Sequence, residues 1–132
     1  MTVPVTALYT GLFLLLMLVL AIRVVTWRRR VQIAMGDGGH KPLRNAIRAH
    51  GNAAEHIPLV LLGMAVLEVN GAPGWSLHLY GAIFFITRSL HAVGLAQPRT
   101  VNAPRQIGVM ITWLVMLAMG IQLLISTFPV SQ

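Results

Sequence analysis

From Val3 to Ile22 the chain carries no charge, and this run is close to the ~20 residues a helix needs to cross a ~30 Å hydrocarbon core. In that medium every backbone N–H and C=O must be satisfied internally, so a spanning segment of this length is restricted to a helix or a closed barrel. Further apolar runs follow, and glycine and proline punctuate them at GDGGHKP (36–42), NGAPGW (70–75) and QPRTVNAP (97–104). Each interval is helix-sized. The pattern predicts an all-α integral membrane protein, a single four-helix domain over 1–132 with spans at about 3–27, 43–69, 75–95 and 104–128.

Composition agrees. The 132 residues are 56% hydrophobic and 10% charged, and a soluble domain of this size could not cover that much apolar surface. The absence of cysteine excludes disulfides, thiolate metal sites and cysteine nucleophiles, so any thiol chemistry has to arrive with a ligand. The five histidines have no HExxH-type spacing, which argues against a metal site. GxSxG, GxGxxG and P-loop patterns are also absent.

The net charge of +7 raises the question of nucleic acid, and the position of the charges answers it. Basic residues cluster between Arg28 and Arg48, beside expected spans, where topology and anionic headgroups account for them. The first apolar run has no positive region before it and no convincing cleavage site, so it is expected to be a retained span and not a leader peptide. By the positive-inside rule the basic loops 28–43 and 96–105 face the cytoplasm and both termini lie on the opposite side.

Residues 44–58, RNAIRAHGNAAEHIP, carry the chemistry. On a helix Arg44, Arg48, Asn52 and Glu55 recur at spacings of four, four and three and share a face. Arg88 and His91 stand one turn apart on the third expected helix. A charged side chain at mid-bilayer costs ~2.5–3.5 kcal/mol on insertion scales, so such groups face protein, water or ligand. Near the inner ends, Arg44, Arg48, Arg88 and Arg105 surround one carboxylate, Glu55. That surplus points to an anionic ligand or anionic lipid. Interface anchoring is the plainer explanation for Arg44 and Arg48, but Arg88 lies too deep for it. His50 and His56 cannot both share the face of Asn52 and Glu55, so one is expected at the ligand and the other at a neighbouring helix or subunit.

RAHGNAAEHIP resembles the second-helix motif of the MAPEG family, membrane-associated proteins in eicosanoid and glutathione metabolism: an arginine, three positions, asparagine, two positions, glutamate. Here these are Arg48, Asn52 and Glu55. TRSLHAVG resembles the family's third helix, with Arg88 and His91 in place, and the likeness extends over nearly the whole chain as a bacterial-type member. The resemblance implies a homotrimer holding glutathione, as co-substrate, between adjacent subunits near the cytoplasmic side. It assigns the tripeptide to Arg48, Asn52 and Glu55, with His50, Arg44, Arg88 and His91 nearby, and activation of its sulfur to Arg105. A helix-one arginine contributes in some members, and Arg28, Arg29 or Arg30 could match it. One departure stands out: where eicosanoid-pathway members often carry a tyrosine one turn after the third-helix histidine, this chain has Leu95.

The resemblance implies a glutathione-dependent transferase or peroxidase for hydrophobic electrophiles. Two other readings stay open. One is a non-catalytic lipid-binding protein, of which Leu95 is the hint. The other is a small multidrug-type exporter using Glu55 as a proton-coupled cation site.

Overall fold

The computed structural model describes residues 2–96 and 103–127, with side-chain placement for 2–94 and 106–127. The chain forms four helices, α1 Pro4–Val31, α2 Lys41–Val69, α3 Gly74–Ala96 and α4 Ala103–Thr127. Long-range hydrogen bonds fix their directions: α2 antiparallel to α1, α4 antiparallel to α3, and α1 parallel to α3. Glu68 at the end of α2 reaches Val5 and Thr6 at the start of α1, Tyr9 Oη donates to the His78 carbonyl at the start of α3 (3.0 Å), and Tyr80 Oη donates to Gln122 Oε1 near the end of α4 (2.8 Å). α3 packs against all three other helices, whereas α1 and α4 do not meet among the described residues.

Three helices are long and apolar enough to cross a membrane: Pro4–Val31, Lys41–Val69 and Gln106–Thr127. α3 matches them in length, with 23 residues, but His78, Arg88 and His91 dilute its apolar character. Its central place explains how those groups are accommodated. Arg88 and His91 are 2% and 4% exposed, buried against other helices and not against lipid. By contrast, leucines such as Leu15 and Leu124, 64% and 65% exposed, face outward along α1 and α4. So much outward apolar surface is stable only in hydrocarbon.

The centre of the bundle is built from aromatic and aliphatic side chains. Phe13 and Phe84 meet with their rings tilted by 51° and 5.1 Å between centroids, with Phe85 edge-on to Phe13 at 5.4 Å, beside the fully buried Met64, Leu67 and Leu77. Pro58 lies inside α2 and cannot donate to the Ala54 carbonyl. Beside that break α1 and α2 enclose a groove of about 280 Å³ lined by Phe13, Leu14, Met17, Ala54, Ile57 and Leu61.

The ends of the helices follow local chemistry. α1 continues past the apolar run through Arg28, Arg29 and Arg30, because basic side chains near a helix C-terminus complement its negative dipole end. Pro42 sits in the first turn of α2, where the missing N–H removes no helix bond. Between them, Gly38 adopts φ 53°, and a Cβ there would lie 2.2 Å from Ile33 Cδ1, so the loop is closed by a residue without a side chain.

Asp37 organises that loop, accepting from Gly39 N–H at 2.9 Å and pairing with the guanidinium of Arg44. The Arg44 contact and then the Gly39 N–H hold its carboxyl below the usual range. A carboxyl depressed in the folded state contributes order above its unfolded pKa and loses it as pH falls through the folded value. The protection factor of the Gly39 amide is therefore expected to drop on acidification, and to be low at every pH in Asp37→Asn.

Candidate functional site

α2 has two faces. Leu43, Ala46, Ala49, Ala53, Ile57, Val60, Met64 and Leu67 point into the bundle at helical spacing. On the opposite side Arg44, Arg48 and Glu55 are exposed, and the same stripe continues as Leu59, Leu62 and Val66. Charge sits on its basic-end turns and hydrocarbon beyond. Asn52, half-buried, lies at the edge between the two faces and links the stripe to the interior.

The link is Arg88. Its Nη1 donates to Asn52 Oδ1 at 2.5 Å and its Nη2 to the Gly108 carbonyl at 3.0 Å, so one side chain ties α2, α3 and α4. The guanidinium also lies over the Phe84 ring, 5.7 Å from its centroid, while Nε is buried without a partner among the described residues. Gly108 makes this approach possible, since a Cβ there would stand 3.0 Å from the Thr87 carbonyl and 3.1 Å from His91 Cβ. The fully buried Thr112 donates to the same Gly108 carbonyl at 2.8 Å. One turn along α2, His56 Nδ1 lies 2.8 Å from the Asn52 main-chain carbonyl. A carbonyl only accepts, so Nδ1 carries the hydrogen and, in the neutral ring, Nε2 is left as an acceptor.

The sequence profile of the MAPEG family matches residues 6–125. The chain belongs to the MAPEG family. It is 37% identical over 115 residues to "Inner membrane protein YecN" of Escherichia coli strain K12, an alignment spanning 87% of this chain and 86% of that protein. The protein of the same name from Escherichia coli O6:H1 matches with the same identity and coverage. With this membership and the four-helix architecture, the chain is an all-α integral membrane protein.

The residues singled out in the sequence do not all come together. Arg48, Asn52, Glu55, Arg88 and His91 lie on successive turns of α2 and α3, with Asn52 and Arg88 in direct contact. Arg44 and Arg28 are engaged elsewhere. Arg44 pairs with Asp37, and Arg28 Nη1 donates to the carbonyls of Ala34 (2.9 Å), Gly36 (3.1 Å) and Ile33 (3.4 Å), closing the loop after α1. His50 is half-buried on α2. Arg105 falls in the first turn of α4 and Leu95 near the end of α3, and both side chains lie outside those described.

Sequence reasoning passed over three participants. Asp37 was visible as an acid in a glycine-rich loop seven positions before Arg44, and its partner could have been guessed. Gly108 and Thr112, one turn apart on α4, gave no signal of their own, since their roles exist only where α3 crosses them.

Proposed function

We propose that this chain is a glutathione-dependent membrane transferase or peroxidase acting on hydrophobic electrophiles. The observation that carries the reading is the arrangement of opposite charges on α2. Arg48 and Glu55 flank Asn52 on adjacent turns, both exposed, and neither forms an ion pair among the described residues. Glutathione brings two carboxylates, an ammonium and a thiol. In this reading a carboxylate meets Arg48, the ammonium meets Glu55, and the thiol is left for Arg105. A free thiol has a pKa of ~8.5, and a guanidinium beside it favours the thiolate, the reactive form. The thiolate then attacks a substrate arriving through the bilayer. At an electrophilic carbon it expels a leaving group or adds to a conjugated double bond. At a peroxide oxygen it breaks the O–O bond, leaving an alcohol and a glutathione sulfenic acid that a second glutathione reduces to the disulfide and water.

The outward stripe of α2, charged at one end and apolar along the rest, suits coverage by a second copy of the chain. Three copies related by a closed rotation would each present one stripe to a neighbour and hold the tripeptide between subunits. The basic end of the bundle would then face the cytoplasm, where charge bias directs it. The exporter reading calls for a carboxylate inside the bundle, and Glu55 is on its outside.

Calorimetry on detergent-purified protein tests the proposal. Wild type is expected to bind glutathione saturably, with affinity reduced roughly tenfold or more in Arg48→Ala and Glu55→Ala, the loss for a charge-assisted contact. Arg44→Ala, whose side chain is committed to Asp37, is expected to change affinity by less than about twofold. No binding at millimolar glutathione would end the reading. Arg105→Ala is expected to bind glutathione while losing the ultraviolet absorbance of its thiolate and the conjugation of a generic aromatic electrophile; equal thiolate in both proteins would remove that assignment.

A further inference from the structure

The buried cation of Arg88 has an amide where a carboxylate would be expected. Arginine stays charged in proteins, and a buried charge is costly unless it is paired. Among the described residues its acceptors are two neutral oxygens, Asn52 Oδ1 and the Gly108 carbonyl, and Nε has none. Aspartate at position 52 would present an oxygen of the same reach with a full negative charge. Local rules broken in this way tend to mark function.

What asparagine has and aspartate lacks is the NH₂ group. Arginine has only donors, so the atom of the Asn52 amide facing it must be the oxygen, and the amide orientation follows without ambiguity. The main-chain carbonyl of Asn52 is taken as well, by His56. Both oxygens of the residue are thus committed, and Nδ2 makes no hydrogen bond to any described residue. On a planar amide it points away from Arg88, beside the turns that carry Arg48 and Glu55.

We infer that Arg88 is a positioning residue. It captures the Asn52 oxygen and turns the amide NH₂ outward as a fixed donor to an oxygen acceptor, carboxylate or peptide carbonyl, of the bound acidic peptide. The charge left unneutralised in the interior is what keeps that donor available. This rests on the glutathione reading of the same site and adds to it which polarity Asn52 presents and what sets it.

The decisive variant is Asn52→Asp. It gains an ion pair with Arg88 and loses the donor, so stability and binding are expected to move in opposite directions: melting temperature equal to or above wild type, and glutathione affinity down by roughly ten- to hundredfold. Arg88→Lys keeps the charge but cannot hold both oxygens in the guanidinium geometry. With a generic electrophile it is expected to raise KM for glutathione by more than it lowers kcat. Wild-type affinity in Asn52→Asp, or unchanged kinetics in Arg88→Lys, would overturn the positioning role while leaving the glutathione reading intact. So would an Asn52→Asp protein that loses binding and melts early, which marks a structural contact. Absence of glutathione binding by the wild type would remove the reading and this inference together.

Discussion

Glu68→Ala is expected to loosen the end of the bundle opposite the candidate site and to destabilise the protein by about 1.5–3 kcal/mol, the range for losing charged hydrogen bonds at a helix cap. The first amides of a helix have no partner within it. α1 begins without a side-chain cap of its own: Val3 precedes it, and Pro4 has no N–H to satisfy. Ala7 N–H bonds to the Val3 carbonyl at 2.8 Å. The two amides between, Val5 and Thr6, donate to Glu68 Oε1 and Oε2, each at 2.8 Å. A carboxylate from α2 therefore caps α1, and its charge faces the positive end of the α1 dipole. In a bilayer water is scarce as a substitute, so the loss should exceed that of an exposed cap. Glu68→Gln, with one acceptor oxygen and an NH₂ that cannot accept, should fall between. Thermal melting in detergent measures the order wild type, Glu68→Gln, Glu68→Ala; equal melting of all three would show that the cap contributes nothing.

The same residue illustrates what local sequence conveys. Four helices were legible because each apolar run ends at glycine or proline, and because hydrocarbon leaves so few folds to such runs. The pattern at 44–55 was legible too, since a helix puts residues three and four apart on one side, and Arg48 and Glu55 are indeed exposed together. Arg88 was recognisable as an interior group from its depth alone. Its partner was not: Asn52 meets it through the register of α2 against α3, and no local periodicity records how two helices slide past each other. Glu68 shows the same limit, since it caps a helix 63 positions earlier and nothing near it in the sequence signals that contact. Arg28 and Arg44 show the converse. Their positions suited a ligand, yet a glycine-rich loop offered nearer acceptors in its carbonyls and in Asp37.

Gly81 is where that register is tightest, and Gly81→Ala is expected to cost about 2–3 kcal/mol, toward the upper part of the range for overpacking. A Cβ at this position would lie 2.4 Å from Tyr9 Cδ2 and Cε2 and 2.6 Å from Cγ. The ring has little freedom to retreat. Tyr9 is 6% exposed, and its hydroxyl is held by the His78 carbonyl one helical turn before Gly81. Either α1 and α3 move apart, loosening the neighbouring Phe13–Phe84 contact, or the hydroxyl leaves its acceptor. Glycine in a helix interior is otherwise unfavourable by ~0.5–1 kcal/mol relative to alanine, so a close approach is the reason to keep it. Gly11 on α1 supplies the comparison, because nothing lies within 4 Å of a Cβ built there and Gly11→Ala should be neutral or slightly stabilising. If the ring is the obstacle, Tyr9→Leu should relieve Gly81→Ala, leaving the double variant less damaged than the two losses combined by about 1 kcal/mol or more. Additive losses in that cycle would mean that the helices already have room to separate, and that Gly81 does not set their spacing.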